Sequence, residues 1–182
     1  MTRTFHLDRE ANVPAWFSSV LLGLAALAAW RCAQLATRSK VRRAWGCLAA
    51  GFAFMSCDEV ASLHENLTAM LLKRTLVGDL FPWGQLTVWP LVLGPVVAVA
   101  VGWLAVNLWS DLRQHPQAAR ILVQGAALFF FGSAVLELTV QPLSVHASLS
   151  WWHELEIFLE ETCEMAGTIV MIAGLLRYQK GA

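Results

Sequence analysis

Apolar residues along the chain fall into five long windows, 14–36, 44–72, 85–111, 118–141 and 151–178, and most of the Arg, Lys and His lie in the short segments between and flanking them. A helix needs about 20 apolar residues to cross the hydrocarbon core of a bilayer. The pattern therefore predicts an all-α fold, a polytopic membrane bundle of five transmembrane helices forming one domain over residues 1–182. The first window follows Asp8 and Glu10 and lacks a small-residue cleavage site, which reads as a retained span rather than a signal peptide. Pro90 and Pro95 fall inside the third window, where proline is expected to kink the helix and free carbonyls for other partners.

Composition narrows the class without changing that picture. Hydrophobic residues make up 57% of the chain and charged residues 14%, with a mean hydropathy of +0.55, too little polar surface for a soluble globule of 182 residues. Basic and acidic residues balance at 13 each, and no basic stripe with interleaved aromatics stands on a polar face, which argues against a nucleic-acid partner. Position carries more than total charge. If the five windows alternate in direction, one side receives nine basic residues, among them Arg38, Lys40, Arg42, Arg43 and Arg113. The other side receives four, Arg3, Arg9, Lys73 and Arg74. The positive-inside rule then puts the N-terminus outside and the C-terminus in the cytoplasm, as expected of a bacterial inner-membrane protein. Trp30, Trp45, Trp103 and Trp109 near the inner ends, and Trp83, Trp89, Trp151 and Trp152 near the outer ends, fit two interfacial belts.

The stretch FMSCDEVASLHENL, residues 54 to 67, breaks the apolar pattern of the second window. It carries Asp58, Glu59, His64 and Glu65 where the window should still lie in lipid. At 100° per residue, Asp58 and Glu65 project almost together, with His64 on the same arc. The fifth window repeats the feature with Glu160, Glu161, Glu164 and Thr168, and the fourth with Ser133, Glu137 and Gln141. Three helices thus each carry a polar stripe, and the economical packing turns the stripes against one another in the outward half of the bundle.

An ionised acid near the bilayer centre costs about 2.5 to 3.5 kcal/mol. No Lys or Arg lies in these stripes to offset that cost, so the acids are expected to share protons, line water or hold cations. Carboxylate and imidazole together suit iron, manganese or zinc. A divalent metal ion, or a pair, is accordingly expected, held by Asp58, His64, Glu65, Glu137, Glu161 and Glu164, with Glu65 and Glu161 as the catalytic acids. The chemistry expected is oxidation or hydrolysis of a lipid-like substrate entering from the membrane. Two features weaken a match to known metal sites: the chain has no Glu-x-x-His pair of the dimetal bundles and no His-Glu-x-x-His. The same acids also allow a cation or proton transporter, and an accessory subunit of a larger complex is a third reading. Cys57 and Cys163 each precede a candidate acid, though neither belongs to a Cys-x-x-Cys, and a buried free thiol is the ordinary case.

Overall fold

The computed structural model describes residues 13–63, 66–67, 70, 89–136 and 150–182, and within them every element is helical. Helix α1 runs Val13–Leu35, α2 Ser39–Ala61, α3 Trp89–Leu112, α4 Pro116–Phe130 and α5 Ser150–Gln179. A π-helical segment, Phe131–Leu136, prolongs α4. Three stretches among the described residues are long and apolar enough to cross a membrane: Val13–Leu35, Leu93–Leu112 and Pro116–Leu136. Helices α2 and α5 are as long or longer, at 23 and 30 residues, but carry the charges that set them apart.

Helices α1 and α2 form an antiparallel pair closed by a tight turn. Cys32 accepts a backbone hydrogen bond from Ala36, and the Arg42 guanidinium reaches back to donate to the Ala36 carbonyl at 3.2 and 3.3 Å, satisfying acceptors that the end of α1 leaves open. Ala25, Ala28, Ala29 and Ala33 of α1, with Ala44, Trp45 and Ala49 of α2, are buried in the core. Small side chains at this contact let the two backbones approach closely, the dominant way helices associate in lipid. Farther along, Ser19 donates to the Ser56 carbonyl at 2.7 Å and Ser56 donates to the Ser19 carbonyl at 2.8 Å, a reciprocal clamp between the two helices.

A second pair, α4 and α5, meets through glycine. A Cβ on Gly167 would stand 2.6 Å from the Phe129 nitrogen, and one on Gly125 would stand 2.7 Å from the Met171 nitrogen. Such distances exclude any side chain, so the two backbones are in direct contact along this seam. Gly132, in the π segment, extends the seam: its Cβ would meet the Glu160 carbonyl at 2.9 Å and Glu164 Cγ at 3.1 Å. Helix α5 also packs on α1, joining the pairs, while α3 leans mainly on α2.

Two expectations from the sequence are corrected here. The window 44–72 was expected to be one continuous span; instead α2 starts earlier, at Ser39, and stops at Ala61. Ser62 closes it in the left-handed region at φ 46°, its N–H bonded to the Asp58 carbonyl at 2.6 Å. Pro90 does not interrupt α3, because it sits in the first turn, where the missing N–H has no partner to lose. Pro95 is in the helix interior, as expected.

Candidate functional site

The acid stripes were the sequence's candidate, and the early end of α2 alters their geometry. Asp58 lies in the last turn of α2, three residues before its end, or roughly 5 Å along the axis. It is half-buried and already has an interaction partner, as does half-buried Glu164 on α5. Glu164 is one wall of the glycine seam, its Cγ packed where Gly132 has no side chain. Glu161 is half-buried, with its Oε2 out of contact with solvent and without a hydrogen-bond partner among the described residues. His64, Glu65 and Glu137 lie outside the described residues.

The polar neighbours of the stripes are spent locally. Buried Thr168 donates to the Glu164 carbonyl at 2.8 Å, and buried Ser133 donates to the Phe129 carbonyl at 3.2 Å. Both are bonds back along their own helix, the usual way a hydroxyl is satisfied in an apolar helix. Among the described residues no acid or His is fully buried, and no group of three or more His, Cys, Asp or Glu side chains is placed to hold a metal ion. The reading of a buried carboxylate and histidine cluster holding iron, manganese or zinc for catalysis, or serving a transport path, is therefore corrected. The four cysteines are free thiols; Cys57 is exposed and Cys163 half-buried.

At the opposite end of the bundle, where the basic residues collect, the structure assembles a network that the sequence did not announce. Tyr178, the chain's single tyrosine, is 2% exposed, and its hydroxyl donates to Asp111 Oδ2 at 2.6 Å. Its ring packs against Trp45 and against the edge of His115, each with centroids 4.8 Å apart. The neighbouring Gln179 donates to the Ala28 carbonyl at 2.9 Å, and Cys32 Sγ lies 3.7 Å from the Leu175 carbonyl. Arg177 donates to Gln117 at the start of α4. The last two turns of α5 thereby reach α1, α2, α3 and the His115 turn before α4.

A protein-family model described as "Domain of unknown function (DUF8692)" matches residues 1–178. The chain belongs to the DUF8692 family. No curated protein and no solved structure matches it. In this DUF8692 chain the Tyr178 network is a structural lock. Its strongest element is a hydrogen bond to a carboxylate, and the Tyr178 ring is walled in by Trp45 and His115.

Proposed function

We propose that the protein is a five-span membrane protein that works by engaging membrane lipid, with its N-terminus outside and its basic end in the cytoplasm of a bacterial cell. The carrying observation is the surface of α3. Val99 is 74% exposed and Val106 78%, with Val96, Trp103 and Trp109 also open, on a helix that is apolar from Leu91 to Val106. Apolar side chains on this scale would cost a water-soluble protein dearly, whereas acyl chains cover them without loss. Helix α1 supports the same reading with exposed Trp16, Leu24, Leu27 and Trp30. Nitroxide labels at Val99 and Val106, in a chain with Cys47, Cys57 and Cys163 replaced by Ser, test it after reconstitution into vesicles. Dissolved oxygen should broaden both signals and a water-soluble nickel chelate neither. Strong nickel broadening at both positions would overturn the reading.

A further inference from the structure

A cavity of about 600 Å³ opens at the basic end between the start of α2 and the last turns of α3. One wall is Arg38, Ser39, Lys40 and Val41; the other is Val106, Asn107 and Ser110. It is an open cleft rather than an enclosed pocket, suited to a group held at the surface. Its chemistry is asymmetric. Arg38 and Lys40 are exposed and have no ion pair with any described residue, so two positive charges face the cavity's neighbourhood uncompensated. No acid lines it. Asn107 and Ser110 supply an amide and a hydroxyl on the facing wall.

What lies beside the cavity selects among anions. Val99, Trp103 and Val106 stand at four- and three-residue steps on α3 and share one exposed apolar face, with Val106 itself forming part of the cavity wall. A ligand seated against Arg38 and Lys40 therefore has an oily track leading away from it. Trp109, 59% exposed and overlaid by the Arg113 guanidinium at 4.8 Å, sits one turn beyond, at the level where tryptophan meets headgroups. Free phosphate would use only the cations; an anionic phospholipid uses cations and track together.

We propose that this cavity binds the phosphate headgroup of an anionic phospholipid in the leaflet at the basic end, with its acyl chains along Val99, Trp103 and Val106. Basic pockets between membrane helices on the cytoplasmic side are a recurring form of headgroup recognition. The inference rests on the lipid-engaging membrane reading above.

The test uses the full chain in neutral detergent, with unfolding followed as phosphatidylglycerol, phosphatidylcholine or inorganic phosphate is titrated in. Phosphatidylglycerol should raise the unfolding midpoint, at concentrations where phosphatidylcholine and inorganic phosphate have little effect. The double substitution Arg38→Gln with Lys40→Gln should weaken the apparent affinity roughly 30-fold, from two charges near a headgroup. The charge-matched control, Arg120→Gln with Lys180→Gln, should leave it within a few-fold. Equal loss in both double variants would reduce the effect to overall charge and overturn the site, and inorganic phosphate that binds as well as the lipid would overturn the lipid as occupant. Val99 labels that meet lipid in a protein with no phosphatidylglycerol preference would reject the headgroup site and leave the membrane reading standing. Val99 labels that meet water would reject both.

Discussion

Tyr178 concentrates more of the structure than any other residue. Its hydroxyl satisfies Asp111 and its ring fills the space between Trp45 and His115, so removing only the oxygen should expose what the bond contributes. Tyr178→Phe should lower stability by about 1.5 to 3 kcal/mol, the range for a hydrogen bond to a charged group whose partner is left behind. Chemical unfolding in detergent, followed by tryptophan fluorescence, would show it; a change below about 0.5 kcal/mol would mean water replaces the tyrosine without loss. The sequence offered Asp111 only as the end of a span and Tyr178 only as the end of another. Their meeting depends on how α3 and α5 pack, which no local pattern encodes. Glu161 shows the reverse case: its place within a long helix was legible, but whether an acid there meets partners was not, and one of its oxygens has none among the described residues.

At the scale of elements, apolar windows located helices well and their ends less well. Helix α1 lies within a residue of its window, and α5 extends one residue past its window at each end. Helix α2 departs most, because a serine in the left-handed region ends it, and serine carries no strong signal for that conformation. The seven-residue spacing of Gly125 with Gly132, and of Gly167 with Gly174, was visible in the sequence, but only the structure shows these glycines in direct contact with the facing helix. Gly167→Ala should therefore cost about 1 to 3 kcal/mol, since its new carbon would collide with the α4 backbone and not with a movable side chain. Gly102→Ala on α3, where nothing lies within 4 Å, should instead be neutral or stabilising by up to roughly 1 kcal/mol. Paired unfolding measurements on the two variants separate the seam from general helix propensity; equal effects would contradict the seam.

For the whole molecule, the class was legible and the active chamber was not. Hydrophobic composition and window length correctly gave helices suited to a membrane, because the bilayer imposes length and apolarity on each helix separately. The expected gathering of acids required three helices to present particular faces to one another, a property of packing angle and helix ends. Among the described residues α4 and α5 meet through glycine and self-satisfied hydroxyls, α2 pairs instead with α1 through alanine, and the denser polar network formed at the basic end. That end also holds the tight α1–α2 turn, the α3–α4 turn and the headgroup cavity, so its side of the membrane governs the functional account. Reporter fusions active only in the cytoplasm or only outside it, placed after Thr37, Asp79, Gln114, Ser144 and Ala182, test this most directly. The account predicts cytoplasmic activity at Thr37, Gln114 and Ala182 and external activity at Asp79 and Ser144; Thr37 and Gln114 reporting from opposite sides, or both from outside, would contradict it.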